Sequence, residues 1–395
     1  MIKICMPQIE NRNDNITRVV CNIEIDDDVK SVWFDVEKKY EKYLSVDRAD
    51  AYLIGMLHYA LSNHHNIKCE LPVSEELLYN IKKILIPSLV NHSKNFRTIT
   101  IEAKTISNYN MGQYVGTGCS CGIDSMSAIY NHLKTEYKSL DLTHLCINNV
   151  GAFNDCYKEY GQEKVKSERY EITEKVAKEI GLDLIKTDSN FGEVIHQRHL
   201  FTHTYSSIFA VYMLQKMWKV YYYASSGIDF SGFTLEDNDI HDCAHYELLS
   251  LQCFSQSNIK VYSEGGEKTR FEKTKDIVDF KVANNYLHVC LRKSYNCNVC
   301  SKCRRTLVTL DLLNKLNNFE NVFDIDYYKK HKKNYYRWLA IQHYKKDLMN
   351  EPVYQEMKKR KEFKKQTILC REENFIKELI KRIVPKRIKS IIKGK

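Results

Sequence analysis

Several features are scarce in this sequence. No run of apolar residues reaches the eighteen or so that a bilayer-crossing helix needs, although 43% of the 395 residues are apolar. The first residues, Met1-Ile-Lys-Ile-Cys-Met-Pro, lack the basic segment, apolar run and small-residue cleavage site of a secretory leader. From these absences we expect a soluble cytoplasmic protein. No internal repeat is visible, which leaves no basis for a repeat architecture. Prolines number only five. That scarcity, with the abundance of Lys, Asn and Tyr, speaks of genome composition rather than mechanism. Cysteine is not scarce: there are 14. Spread over a chain this long they do not suggest a disulfide scaffold, and in a reducing compartment they point to thiols, a metal site or catalysis.

The formal net charge of +10 conceals a division. Residues 327–395 hold 22 Lys and Arg against 7 Asp and Glu, a balance of +15, which leaves −5 for residues 1–326. The body is mildly acidic and only the end is basic, so the overall charge gives no argument for nucleic-acid binding.

Patterning separates three regions. Residues 1–110 mix short alternating strands, such as Val19–Ile25 and Thr98–Ala103, with a buried helix over Arg48–Leu61 and a helix start at Ser74-Glu-Glu-Leu-Leu. They predict an N-terminal α+β domain. Residues 111–312 alternate strand and helix: strands near Met111–Gly118, Thr143–Val150, Leu182–Thr187 and Lys219–Ala224, with helices over Ile123–Leu133, Glu163–Ile180 and Phe201–Met217. This predicts an α/β core on a parallel sheet, whose ligands sit beyond the carboxyl ends of the strands. Residues 313–395 read as a basic, Tyr-rich helical end.

The strongest local motif is Ser120-Cys121-Gly122-Ile123-Asp124-Ser125, between a predicted strand and a predicted helix. Small residues there let backbone N–H groups close on phosphate oxygens, and the helix N-terminus adds partial positive charge. Ser120 and Ser125 can donate to the same oxygens, and Asp124 can hold Mg²⁺. Two other stretches imitate nucleotide motifs and fail. Gly265-Gly266-Glu267-Lys268-Thr269 has Glu267 where a Walker A loop has its second glycine, and Gly116-Thr-Gly118 lacks the third glycine of a dinucleotide fingerprint.

A second motif gathers cysteines: Cys290, Cys297, Cys300 and Cys303, with two consecutive Cys-x-x-Cys steps. Four thiolates at this spacing suit a tetrahedral Zn²⁺, and they would equally hold an iron–sulfur cluster. A site filled by four protein ligands stabilises a fold and does not activate water.

The loop resembles the PP-loop (N-type) ATP pyrophosphatases, with their Ser-Gly-Gly-x-Asp-Ser signature, a superfamily that includes 7-cyano-7-deazaguanine synthase, asparagine synthetase, GMP synthetase and the tRNA thiolation enzymes. Ser120, Gly122, Asp124 and Ser125 match, and Cys121 departs from the usual Gly. The cysteine block is similar to the structural zinc site of the 7-cyano-7-deazaguanine synthase group, which favours zinc. Several expectations are implied by this resemblance. Lys273 or Arg270, shortly before the cysteines, would approach the nucleotide phosphates. Asn149, Val150 and Gly151 would grip adenine, and Ser225, Ser226 and Gly227 would face ATP and substrate. The chemistry would be adenylation with release of AMP and pyrophosphate, then amidation or related C–N bond formation, with ATP, Mg²⁺ and Zn²⁺ as cofactors. The acceptor would be a small molecule or nucleotide-linked sugar, and an ammonia or amine donor protein a partner. Nucleic acid is disfavoured by the acidic body. Alternatives are a tRNA-modifying (thiolating) enzyme, whose basic tail would hold phosphates, and a nucleotide-binding adaptor that turns nothing over; sulfur chemistry in the superfamily also makes Cys119 or Cys121 a candidate persulfide carrier. His196, His199, His203, His241 and His245 are further candidates for a base or a substrate contact.

At the basic end, Phe375, Ile376, Leu379, Ile380 and Ile383 recur at helical spacing among Lys377, Lys381 and Arg382, and the pattern resumes after Pro385. It is similar to the Pro-interrupted basic ends of enzymes in bacterial surface-polysaccharide pathways. Such a helix either lies on anionic lipid as a peripheral contact or packs its apolar face on the body. Removing residues from Phe375 onwards should weaken cosedimentation with anionic vesicles; equal binding by full-length and truncated chains would show that the helix packs on the body instead.

Overall fold

A computed structural model of the chain describes residues 1–107, 111–155, 161–225, 229–236 and 242–368. The strands are β1 (Ile2–Ile4), β2 (Gln8–Asn11), β3 (Ile16–Ile25), β4 (Asp28–Glu37), β5 (Ile67–Cys69), β6 (Val73–Ser74), β7 (Ile101–Glu102), β8 (Thr105–Ile106), β9 (Tyr114–Gly118), β10 (His144–Asn149), β11 (Asp183–Ser189), β12 (Trp218–Ala224) and β13 (Lys260–Glu264). Eleven of them make one mostly parallel sheet in the order β13-β12-β9-β10-β11-β4-β3-β1-β5-β7, with β2 on β3, while β6 and β8 pair separately. Fourteen α-helices accompany them among the described residues. None is long and apolar enough to cross a membrane.

The five strands from β13 to β11 are parallel to one another. Taken in chain order, β9, β10 and β11 step outward one way and β12 and β13 the other. The order therefore reverses between β9 and β12, and the carboxyl ends of those two strands frame the crevice where a doubly wound sheet holds its ligand. Burial follows the same logic: β12 carries Val220, Tyr221, Tyr222 and Tyr223 as a nearly continuous buried run, as a covered parallel strand requires.

Beyond β11 the sheet continues without a break into the first 110 residues, through the antiparallel pairs Thr187↔Val36, Asp188↔Asp35 and Ser189↔Phe34. One aromatic cluster spans this junction. The Phe209 ring meets Phe34 of β4 at 6.0 Å, Tyr52 of the Asp50–Asn63 helix at 5.5 Å and Phe191 at 4.5 Å. Contacts divide the chain into two units, Met1–Asn296 and Cys297–Lys395, so the structural division does not fall at the 110 and 312 boundaries read from the patterning. Composition changes at those positions, but the β4 edge finds its hydrogen-bond partner in β11 and carries the first segment into the same sheet.

One local reading shifts for an identifiable reason. Ser74 precedes its helix as expected but makes no side-chain cap; its hydroxyl donates to the buried Asp50 carboxylate instead. The Arg270–Ile277 helix starts where Thr269 and Glu272 form a capping box. In the second unit, Asp311 on the Ser301–Leu312 helix accepts from Tyr328 Oη at 2.9 Å and Tyr336 Oη at 2.8 Å on the Ile325–Tyr344 helix, with Lys332 Nζ at 3.2 Å. Tyr328 and Tyr336 thus serve the core of that unit. Phe375–Ile392 lies outside the described residues.

Gly116, part of the failed dinucleotide pattern, has a packing role. A Cβ there would lie 2.5 Å from Cζ3 of the buried Trp218 ring. Gly116→Ala should therefore destabilise the fold by roughly 1–3 kcal/mol through overpacking. Urea unfolding would register this as a lowered midpoint with an unchanged slope.

Candidate functional site

Residues 119–122 connect β9 to the Ile123–His132 helix, at the point where strand order reverses. Cys121 adopts φ +57°, in the left-handed region where glycine is at ease, and is fully buried. Glycine takes this conformation without the steric cost that the Cβ of Cys121 brings. Gly122 is the N-cap and makes no side-chain cap. Ser120 Oγ lies 3.2 Å from Ser125 Oγ, and the Gly122 N–H donates to Ser120 Oγ at 3.3 Å. The loop is held from behind: Arg169 donates to the Ser120 carbonyl at 2.6 Å, and the His288 N–H donates to the Cys121 carbonyl at 2.8 Å.

Cys119 Sγ is 3.8 Å from Cys121 Sγ. That thiol, helped by the Arg169 guanidinium and opposed by burial, lowers Cys121 to about 7. The same contact, with burial, pushes Cys119 well above the ordinary thiol range.

Two cations converge on the loop from 146 and 149 residues away. Arg270 Nη2 is 2.6 Å from Asp124 Oδ2, and Lys273 Nζ is 3.3 Å from Asp124 Oδ1 and donates to the Ser225 carbonyl at 3.1 Å. Lys273 is only 1% exposed. Gly265 makes room for it: the residue sits at φ +76°, and a Cβ there would be 2.9 Å from Lys273 Cε. The Walker-like fragment is thus the turn that admits this lysine. The structure joins Ser120, Gly122, Asp124, Ser125, Ser225, Arg270 and Lys273 through direct contacts or shared loop geometry.

Asn149, Val150 and Gly151 form a neighbouring group at the end of β10. Asn149 Nδ2 donates to Asp188 Oδ1 at 2.6 Å, while its buried Oδ1 has no hydrogen-bond partner among the described residues. Gly151, at φ +115°, packs against Gly192, where a Cβ would come within 2.4 Å of the Gly151 Cα. Ser226, Gly227 and His241 lie outside the described residues. Of the other histidines, His245 Nδ1 faces the Gly232 carbonyl at 3.2 Å, and His203 meets Asp242, Cys243 and Tyr223.

The sulfurs of Cys290, Cys297, Cys300 and Cys303 lie within 4.8 Å of one another. Asn298, at φ +61°, turns the chain between Cys297 and Cys300, a conformation asparagine tolerates better than most residues. Backbone N–H groups of Arg292 and Cys300 donate to Cys290 Sγ and Cys297 Sγ at 3.3 and 3.4 Å. Such bonds orient metal-bound thiolates. The cluster can hold a metal ion and is compatible with zinc.

Sequence reading missed Arg169, Asp242 and Cys243. Arg169 belongs to a strongly charged helix and looks like a solvated residue until the fold turns it under the loop. Asp242 and Cys243 match no motif spacing. Comparison with protein-family models, curated proteins and solved structures found no match.

The four-cysteine cluster should keep one metal ion through dialysis, and Cys300→Ser should release that ion. Elemental analysis is expected to show zinc. Iron with acid-labile sulfide would overturn that assignment.

Proposed function

We propose that this chain is a PP-loop ATP pyrophosphatase. It activates a small-molecule or nucleotide-sugar acceptor by adenylation and then forms an amide or related C–N bond. The observation that carries the reading is the convergence of Arg270 and Lys273 on the Ser120–Ser125 loop, at the reversal point of a parallel sheet. Anion-binding loops, an uncapped helix start and two cations together form a receptor for a polyphosphate.

In the reaction, an acceptor carboxyl or carbonyl oxygen attacks the α-phosphorus of ATP. The bond from that phosphorus to the bridging oxygen breaks, and pyrophosphate leaves with the electron pair. Ammonia or an amine then adds to the activated carbon and loses a proton as AMP departs. The loop N–H groups and the Ser120 and Ser125 hydroxyls hold the β- and γ-phosphates as one departing unit. Arg270 and Lys273 move from Asp124 onto the phosphates, which frees the carboxylate for Mg²⁺. That ion supplies charge neutralisation for the leaving pyrophosphate. Buried Asn149 Oδ1, with no partner among the described residues, suits the adenine amino group. The four-cysteine cluster is a closed structural zinc site and takes no part in the chemistry.

The test is chromatographic separation of labelled ATP products with candidate acceptors present. AMP and pyrophosphate are expected; ADP as the main product would sink the reading. Asp124→Asn should lower turnover by two to three decades, roughly 3–4 kcal/mol of barrier, and Ser125→Ala by less, because it removes one neutral donor among several. Circular dichroism checks that Asp124→Asn remains folded with Lys273 short of its counter-charge. No turnover with any acceptor, together with ATP binding that survives Asp124→Asn, would favour a non-catalytic adaptor.

A further inference from the structure

A second group of metal-type donors lies away from the four cysteines. Cys243 Sγ, a ring nitrogen of His203 and a carboxylate oxygen of Asp242 all lie within 4.8 Å of one another. His203 Nε2 is 3.5 Å from Asp242 Oδ1. The His203 and Asp242 side chains are 13% and 25% exposed, and Cys243 is fully buried, so the cluster is largely sheltered while two of its donors keep contact with solvent. We propose that His203, Asp242 and Cys243 form a second metal site, with three protein ligands and a fourth position open to water or a substrate oxygen.

The surroundings of each donor suit this role. Thr204 donates to Cys243 Sγ from its backbone N–H at 3.5 Å and from its hydroxyl at 3.3 Å, while the thiol itself donates to the Leu200 carbonyl at 3.6 Å; metal binding exchanges that thiol proton for the ion and keeps the two Thr204 donors on the sulfur. Tyr223 Oη lies 2.8 Å from His203 Nδ1. With Nε2 on a metal, Nδ1 keeps the proton and donates it to this oxygen, which sets the tautomer and fixes the ring. Asp242 Oδ1 is anchored by the Ala244 N–H at 3.0 Å.

Position supports a chemical rather than a purely structural role. Tyr223 stands one residue before the carboxyl end of β12, and His203 is in the first turns of the His199–Met213 helix, which follows β11. Both ends belong to the edge of the parallel strands where ligands bind. The donor set, one imidazole, one carboxylate and one thiolate, suits zinc or another borderline divalent ion. An open fourth position is the mark of a catalytic zinc, which polarises an oxygen or lowers the pKa of bound water.

A thiol nucleophile with a histidine base is the competing use of these residues. In that arrangement the orienting carboxylate belongs on the ring nitrogen remote from the thiol. Here Asp242 faces Nε2 and Nδ1 meets Tyr223 Oη at 2.8 Å and Thr204 Oγ1 at 3.4 Å, so both ring nitrogens already face groups other than the thiol, and the metal titration separates the two uses. The proposal does not rest on the nucleotide reading above.

The test is equilibrium titration of full-length protein with Co²⁺ while the four-cysteine cluster keeps its own metal. One further equivalent should bind, with visible ligand-field bands and a near-ultraviolet thiolate-to-cobalt band of single-thiolate intensity. Cys243→Ser should remove the near-ultraviolet band, and His203→Gln should abolish binding. Tyr223→Phe should weaken binding by roughly 10- to 100-fold, by removing the partner of the coordinating ring, with the circular-dichroism spectrum unchanged. Acetohydroxamate should shift the visible bands through the open position. A wild-type chain that binds no further cobalt, or binding indifferent to both ligand substitutions, would overturn the site. Bands unmoved by acetohydroxamate would overturn its open position.

Discussion

A lysine ammonium at 1% exposure needs a counter-charge, and for Lys273 that charge comes from Asp124. Desolvating an ion costs several kcal/mol, and leaving one partner of a buried pair alone costs roughly 3–5 kcal/mol. This constraint organises the region around it. It ties the Arg270–Ile277 helix to the loop after β9, and it draws on the Ser225 carbonyl at the end of β12. It also demands a residue without a side chain at Gly265. The carboxyl ends of β9 and β12, which frame the crevice, are thereby bridged by one set of ionic contacts. In the proposed reaction the two cations exchange this carboxylate for the phosphates, so Lys273 keeps a counter-charge throughout.

Steric constraints complement the ionic one. Trp218 fills the space beside Gly116 between the two central strands, and Gly151 and Gly192 pack backbone to backbone at the end of β10. Cys121 takes a left-handed conformation without being glycine, while Arg169 and the His288 N–H hold the carbonyls on either side. The loop is therefore shaped from behind as much as by its own sequence. His288 lies two residues before Cys290, so the segment that enters the four-cysteine cluster also braces the loop.

Much was legible without coordinates, for physical reasons that are local. The strand–loop–helix over residues 114–132 depends on small residues followed by an apolar helix face. The cysteine cluster depends on spacings of two residues that a single knuckle turn can close. The parallel core followed from alternating strand and helix patterns, and β9 to β12 lie where that pattern predicted, while the edge strand β13 (Lys260–Glu264) went unread. Capping chemistry was also local, and Thr269 with Glu272 could have been read as a helix start.

What the sequence alone determined were these short-range features: a small-residue loop between a strand and a helix, four thiols at metal spacing, an α/β core and a basic end. Only the tertiary structure decided which distant residues complete them. The pairing of Asp124 with Arg270 and Lys273 spans about 150 residues, and resemblance suggested the cations but no spacing rule could. Arg169 under the loop, the union of β4 with β11, and the meeting of His203 with Asp242 and Cys243 left no trace in periodicity. Periodicity records which face of an element is buried. It does not record which other element buries it, because that choice is made by chain-wide packing and by the hydrogen-bond needs of sheet edges.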